Sequence, residues 1–375
     1  MRIKDLFEIN KAITTSREFF DDNKGIPCVH YGDIYRFYNE KTILSSNILN
    51  KFTLNLDKLK TINQDSIIMP DVTETITDFG HLTYIKYDKT QYINGTHTLA
   101  ILNNKNNNLK YLFYYLQSSK IKKQLQTLLL GSTVFQISKK DLENFELQSI
   151  HNENEQQHIV DTVGSLDNKI ENNNKIIERL IIWKANNYKN ALSNIPCQEY
   201  NLLDMVDFIG GTQPPKSEHI YDYKQGYIRF IQNRDYSSEN HLTYIKESTK
   251  NKLCNEYDIM MDKYGEAGKV RFGISGAYNV ALAKIDPKNK VYQEWIREFL
   301  NTQEIQQYLF NSSIASTRAS VSENNLMNIK IPVPSKDYIA KFEEKHKIII
   351  KFILKLKQEN KQLENLKKLY LSYYF

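Results

Sequence analysis

An internal duplication constrains what this chain can fold into more than any other feature of its sequence. Residues 132–147 read STVFQISKKDLENFEL, and residues 316–331 read STRASVSENNLMNIKI, which align without a gap. Upstream, residues 112–125 match residues 296–309 at the same offset. Because the flanking stretches repeat in the same order, we interpret the match as one fold used twice. Two copies are too few for a solenoid, which needs roughly three or more stacking units.

Another pair of similar stretches lies nearer the start of each half. Residues 26–34, IPCVHYGDI, resemble residues 228–236, IRFIQNRDY. Each half then ends in a long polar segment with the composition of a helix. The chain therefore reads as a globule, a long helix, a second globule and a second long helix. The predicted divisions are 1–150, 151–195, 196–334 and 335–375.

The two polar segments carry a heptad pattern of apolar residues. Residues 155–190 contain no proline, and their apolar residues recur at steps of three and four, which predicts a long helix with one apolar seam. Residues 338–371 repeat the pattern, and Asn173 and Asn360 interrupt the two seams. A buried asparagine costs stability but selects one register, so we predict that the helices pair with each other through these residues. The alternative is that each helix packs only on its own globule.

The composition is that of a cytoplasmic protein with buried cores. Hydrophobic residues make up 41% of the 375 residues, but no apolar run approaches the roughly 20 residues of a membrane span. The first residues, MRIKDLFEIN, contain no apolar signal core. The three cysteines show no paired spacing, so we expect free thiols in a reducing cytoplasm. Residues 336–375 contain 10 Lys against 5 Asp or Glu, which accounts for most of the net charge of +6.

Catalytic motifs are missing from the sequence. Gly268 and Lys269 lack the earlier glycine of a phosphate-binding loop, and TQPPK at 212–216 is not a methyltransferase tetrad. Pro70 and Asp71 resemble the start of a nuclease core, but no (D/E)xK follows in the nearby strand-like stretches. The eight histidines show no HxH or HExxH spacing, so we expect no metal site. We therefore predict a protein without catalytic activity of its own.

The duplicated motifs resemble those of a known family. GSTVFQISKKDLENF at 131–145 and ASTRASVSENNLMNI at 315–329 are similar to the run that closes each recognition domain in specificity subunits of type I restriction–modification systems. GGTQPPKS at 210–217 resembles the Gly-x-Thr-Pro start of such a domain, whereas residues 9–16 lack the glycine and proline. The resemblance extends over essentially the whole chain, and the ordered repetition of the motifs makes it specific.

This resemblance implies an α+β fold: two mixed α/β target-recognition domains in pseudo-two-fold tandem, separated by two long antiparallel coiled-coil helices. It also implies that each domain reads one part of a bipartite, asymmetric double-stranded DNA target. The helices would set the spacing, at about 1.5 Å per residue. They would also dock two modification (methyltransferase) subunits, which restriction/translocase subunits then join. S-adenosylmethionine, ATP and Mg are expected on those partner subunits, and no cofactor on this chain.

Candidate DNA contacts are polar side chains at strand ends, beside glycines and near the repeated motif. Arginine suits guanine, and asparagine and glutamine suit adenine, because their donors and acceptors match the base edges. The candidates in the first half are His30, Tyr31, Arg36, Ser132, Thr133 and Gln136. Those in the second half are Arg229, Gln232, Asn233, Arg234, Lys263, Tyr264, Lys269, Arg271 and Arg318. For each residue the alternative is an ordinary exposed polar group.

Two other functions are open at this stage. A structural scaffold would use its helices to oligomerise without DNA, and poor affinity for every duplex with partner subunits present would select it. A self-contained nuclease would cleave DNA as a purified chain in the presence of a divalent metal.

Overall fold

The computed structural model describes residues 1–21, 24–54, 59–103, 107–148, 150–239, 241–314 and 320–375. Packing divides the chain into two units, one formed by Met1–Asn172 with Asn360–Phe375 and the other by Asn173–Glu359. Each unit thus contains one globular domain and parts of two long helices. Within the described ranges, no helix is both long and apolar enough to span a membrane. The four-part division by chain position stays a prediction.

The first domain contains two main sheets, a short strand pair and five α-helices within its described residues. Its strands are β1 (Phe7–Lys11), β2 (Phe20–Asp21), β3 (Ile26–Val29), β4 (Thr42–Leu44), β5 (Lys51–Phe52), β6 (Ser66–Pro70), β7 (Val72–Thr73), β8 (Thr83–Lys86), β9 (Ile93–Asn94), β10 (Thr98–Asn103) and β11 (Phe135–Gln136). Its helices are α1 (Ile3–Leu6), α2 (Tyr31–Asp33), α3 (Leu109–Gln117), α4 (Ser119–Gln126) and α5 (Lys139–Asn144). The sheets have the strand orders β1-β10-β6-β8-β4 and β2-β5-β3-β9, and β11 pairs with β7.

Apolar residues on both faces of β6 explain why this strand lies inside the larger sheet. Ile67 and Met69 join the core formed with helix α3. Ile68, which points to the opposite face because side chains alternate along a strand, joins a separate cluster with Ile85. A strand covered on both faces needs an almost continuous apolar run, and SIIMP meets that requirement. Helix α3 begins where the side chain of Asn108 accepts the backbone N–H of Tyr111.

The second domain contains two four-stranded sheets and a short strand pair. Its strands are β12 (Gln198–Asn201), β13 (Val206–Gly210), β14 (Tyr227–Ile231), β15 (Tyr244–Lys246), β16 (Leu253–Cys254), β17 (Ile259–Asp262), β18 (Val270–Arg271), β19 (Gly276–Tyr278), β20 (Leu282–Pro287) and β21 (Lys330–Val333). Helices α7 (Leu202–Met205), α8 (Gln293–Leu300) and α9 (Gln303–Ile314) belong to this domain. The sheets have the orders β13-β20-β17-β18 and β15-β14-β19-β16, and β12 pairs with β21.

The two domains share the arrangement of their central strands. In the first, β10 lies between β1 and β6; in the second, β20 lies between β13 and β17, with all these neighbours antiparallel. The other sheet of each domain contains one parallel pair, with Cys28 opposite Ile93 in the first domain and Phe230 opposite Ala277 in the second. The internal duplication predicted from the sequence is therefore present as a repeated fold.

The long helices are α6 (Glu153–Asn194) and α10 (Lys336–Tyr374). In the first unit, Nζ of Lys367 lies 2.8 Å from Oδ1 of Asp167, and the rings of His158 and Tyr374 are 6.4 Å apart. Residue numbers thus rise on α6 as they fall on α10, which makes the helices antiparallel here. The predicted α+β fold class, with two mixed α/β domains in tandem and two long antiparallel helices, is confirmed.

In the second unit the same helices again contact each other in antiparallel order. Nδ2 of Asn173 donates to Oε2 of Glu359 at 3.0 Å, and the ring of His346 is within 3.0 Å of Oδ1 of Asn187. Asn173 is buried here, and Asn360 is buried in the first unit. The acceptor of this bond from Asn173 is a carboxylate. The role of the two asparagines in fixing the register stays a prediction.

Lys184 is a polar residue at one of the heptad positions of α6 that are otherwise mostly apolar. Its side chain is 4% exposed, and its Nζ lies 3.1 Å from Oε2 of Glu294 and 2.8 Å from Oε1 of Glu298. Glu294 is also bound by the guanidinium of Arg297, with Nε 2.9 Å from Oε2. The helix therefore buries a cation at this point because α8 supplies two carboxylates to meet it.

Candidate nucleic-acid interface

A short capped turn follows the parallel strand β3 in the first domain. The backbone N–H of His30 donates to Oδ2 of Asp33 at 3.0 Å, and the N–H of Gly32 donates to Nδ1 of His30 at 3.3 Å. Asp33 is buried, and burial of a carboxylate is tolerated when it accepts such hydrogen bonds. The turn fixes the positions of His30 and Tyr31 at the strand exit, and the ring of Tyr31 lies 5.6 Å from that of His97.

The equivalent turn in the second domain uses the same backbone frame with different side chains. The N–H of Gln232 donates to Oδ2 of the buried Asp235 at 3.2 Å, as His30 does to Asp33. The side chain of Gln232 reaches Oγ1 of Thr243 at 3.3 Å. Sequence recognition requires variable side chains on a fixed backbone, and the two strand exits have that arrangement.

An open cleft of about 650 Å³ lies in the first domain. Gln136, on β11, contributes to its wall together with Gly131 and Val134. Ser132 and Thr133 are exposed in the bend between Leu130 and Gln136, whose backbones pair across the bend. Arg36 is exposed on the π-helical turn Ile34–Tyr38, which follows α2 directly.

Two cleft residues were not among the predicted contacts. Oδ1 of Asp71 lies 3.6 Å from Nδ1 of His97, and burial raises the pKa of the Asp71 carboxyl. In the sequence, Asp71 is notable only beside Pro70, as the possible start of a nuclease core. His97 adopts a left-handed φ of 60°, and the stretch NGTHT, typical of a turn, is the only local signal for it.

The structure brings together the two predicted stretches of the second domain. Nδ2 of Asn233 donates to the carbonyl of Tyr264 at 3.3 Å, and the guanidinium of Arg271 lies 5.8 Å from the ring centroid of Tyr236. Gly265 adopts a φ of +80°, and a Cβ at this position would lie 3.2 Å from Nδ2 of Asn233. The close approach and the left-handed backbone both favour glycine here.

Two of the predicted arginines, Arg229 and Arg271, bind carboxylates within the second domain. Nη1 of Arg229 lies 2.7 Å from Oε1 of Glu239. Arg271 donates to Oδ2 of Asp262 from Nε at 3.2 Å and from Nη2 at 2.9 Å, and it also pairs with Glu266. A base contact by either arginine would therefore require an exchange of partner, which costs part of the binding free energy.

The other predicted residues of this domain differ in exposure. Lys269 is exposed, and its Nζ lies 2.5 Å from Oε1 of Glu266. The side chain of Arg234 is 53% exposed. Nζ of Lys263 lies 5.8 Å from the ring centroid of Tyr264. Arg318 lies outside the described residues. The assignment of all these residues as DNA contacts stays a prediction.

A family model described as the type I restriction modification DNA specificity domain matches this chain twice, at residues 1–181 and 194–369. The chain belongs to this family. It provides DNA sequence specificity in a type I restriction–modification system, and it is a non-catalytic component of that system, as predicted.

Solved structures of similar chains have low sequence identity to this protein. The type I restriction–modification S subunit from M. genitalium is 17% identical with a TM-score of 0.58, over 100% of this chain and 95% of that one. A chain from a study of complex assembly and conformational transition of the type I R-M system is 16% identical, with a TM-score of 0.39 over 100% and 96%. The HsdS subunit from Thermoanaerobacter tengcongensis is 16% identical, with a TM-score of 0.34 over 100% and 95%. The likeness to the M. genitalium subunit shows the fold.

Proposed function

We propose that this specificity subunit reads a bipartite, asymmetric double-stranded DNA target, with one part read by each domain. The observation that carries this proposal is the repeated strand exit. The same capped turn presents His30 and Tyr31 in the first domain and Gln232 and Asn233 in the second. Because different side chains match different base edges, two copies of one frame read two unlike half-sites.

We further propose that the long helices dock two modification subunits. In the second unit, Ile181 and Ile182 of α6 are 47% and 52% exposed. Ile348 and Phe352 of α10 are 63% and 44% exposed. Large apolar side chains exposed together are typical of protein–protein contact surfaces. Restriction/translocase subunits join the complex that results. S-adenosylmethionine, ATP and Mg belong to these partner subunits in this proposal, and this chain holds none of them.

Methylome sequencing of cells that contain or lack this chain tests the proposed function. A split motif should be methylated only when the chain is present. Replacing residues 198–332 with the corresponding domain of a relative should change one half-site and leave the other unchanged. Replacing residues 1–150 should have the reciprocal effect, which assigns each half-site to its domain.

The other outcomes select the alternatives. If both half-sites changed together, or neither did, the domains would not read DNA independently. A change in spacer length alone would place the effect in the helices. If no methylation depended on the chain and the assembled complex bound no duplex, the scaffold hypothesis would replace the present one.

A further inference from the structure

Asp71 and Lys263 occupy the same position in the two copies of the fold. Asp71 follows β6 and Lys263 follows β17, each the third strand in the order of its sheet, and the backbone frame is the same in both. The carbonyl of Asp71 accepts the N–H of Ile137, and its own N–H donates to the carbonyl of His97. The carbonyl of Lys263 accepts the N–H of Val321, and its N–H donates to the carbonyl of Ala281. One position in the frame thus holds an anion in the first domain and a cation in the second.

The first domain places Asp71 in the wall of the open cleft, where its side chain is 16% exposed. Within the described residues, its Oδ1 is buried without a hydrogen-bond partner, since Nδ1 of His97 is 3.6 Å away. An unsatisfied buried acceptor costs free energy, which a donor entering the cleft would recover. Lys11, the last residue of β1, also lines this cleft.

At the equivalent position, the second domain has a longer side chain and a glycine beside it. Gly210 ends β13 and lies opposite Ala283, as Lys11 ends β1 and lies opposite Leu99. A Cβ at Gly210 would be 3.7 Å from Nζ of Lys263, so the ammonium group lies beside the glycine. The second domain therefore has a glycine where the first has a lysine, and a lysine where the first has an aspartate.

We propose that this shared position determines one base in each half-site, with Asp71 accepting from the N4 amino group of a cytosine and Lys263 donating to O6 and N7 of a guanine. The inference rests on the proposed function and adds to it the chemistry of one contact per domain. A carboxylate matches the cytosine amino group and a lysine matches the guanine acceptors in the major groove. The backbone frame is the same in both domains. The shared position therefore faces a hydrogen-bond donor of the base in one half-site and hydrogen-bond acceptors of the base in the other.

The test measures base preference in the assembled complex of this chain with its modification subunits. The target motif comes from methylome sequencing, and duplexes with each base pair varied in turn compete for binding. Asp71→Asn should reduce discrimination at one position of the first-domain half-site by about 5- to 150-fold and admit adenine, which an amide matches. Lys263→Gln should do the same at one position of the other half-site. Asp71→Glu keeps the carboxylate and should keep the cytosine preference.

Matched substitutions on the central helix serve as controls. Asp161→Asn and Lys189→Gln alter exposed residues of α6 and should leave the preference at every position unchanged. The proposal is overturned if Asp71→Asn and Lys263→Gln change binding to all duplexes equally or not at all while the domain exchange still alters one half-site. If the domain exchange also has no effect, the proposed function itself fails.

Discussion

Oε1 of Glu343 accepts the backbone N–H of Trp295 at 3.0 Å, and it also accepts that of Glu294 at 2.6 Å. A carboxylate of α10 thus caps the first turn of α8, where unpaired N–H groups point out of the helix. Glu343 is 3% exposed, and burial, with a smaller contribution from the charge of Glu294, raises its pKa from 4.5 to about 7. The contact joins α10 to the core of the second unit. It also buries a carboxyl group whose raised pKa favours the protonated form.

Glu343→Gln should change how stability depends on pH. A carboxyl whose pKa is higher in the folded state stabilises the fold fully below about pH 4.5, and this contribution is lost as pH rises through about 7. Relative to the glutamine variant, the unfolding free energy of the native protein should fall by about 3 kcal/mol between these limits. Urea unfolding at a series of pH values measures the difference. Equal slopes for both proteins would contradict the assigned pKa. Glu343→Ala also removes the cap of α8, so this variant should be less stable than the glutamine variant at every pH.

Lys184→Met should destabilise the second unit strongly. The substitution leaves Glu298 buried without its cation, whereas Glu294 keeps Arg297. Removing one partner of a buried ion pair costs about 3–5 kcal/mol. Denaturant unfolding at neutral pH measures this cost. Adding Glu298→Gln to the variant removes the unpaired charge and should recover part of the loss. A cost below about 1 kcal/mol would mean that the pair behaves as an exposed one.

Arg234→Ala should weaken binding of the assembled complex to its own target by about 1–3 kcal/mol and relax the choice of one base. Arg234 is the most exposed arginine among the described candidates of the second domain, and it follows Asn233, whose backbone position the capped turn fixes. Competition between the target duplex and single-base variants measures the effect. If binding to every duplex weakened equally, and the slope of log affinity against log salt concentration fell by about one, Arg234 would instead be a phosphate contact. Arg179→Ala, an exposed arginine on α6, should leave base preference unchanged.

Ile348→Asp combined with Phe352→Asp should prevent binding of a modification subunit without unfolding the chain. Both side chains are exposed on α10, so charges there cost little in the isolated protein but are buried without partners in a complex. Size-exclusion chromatography with a purified modification subunit should show loss of the complex, and thermal unfolding should be unchanged. Tyr221→Asp, at a 69% exposed residue of the second domain outside both helices, is the control. Normal assembly of the double variant would place the docking surface elsewhere.

The sequence by itself determined the plan of the protein. The repeated order of similar stretches predicted one fold used twice, and the heptad pattern predicted helices over 155–190 and 338–371, which lie within Glu153–Asn194 and Lys336–Tyr374. The similarity of residues 26–34 to 228–236 located the two capped turns. These features are local or periodic, so each leaves a signal in consecutive residues.

Only the tertiary structure decided which side chains meet. Arg229 and Arg271 bind carboxylates of their own domain, Asn173 binds Glu359, and Asp71 lies beside His97. The backbone hydrogen bonds also decided the equivalence of Asp71 with Lys263. The chemistry of a polar side chain depends on the groups that surround it, and chain folding brings those groups from segments far apart in the sequence.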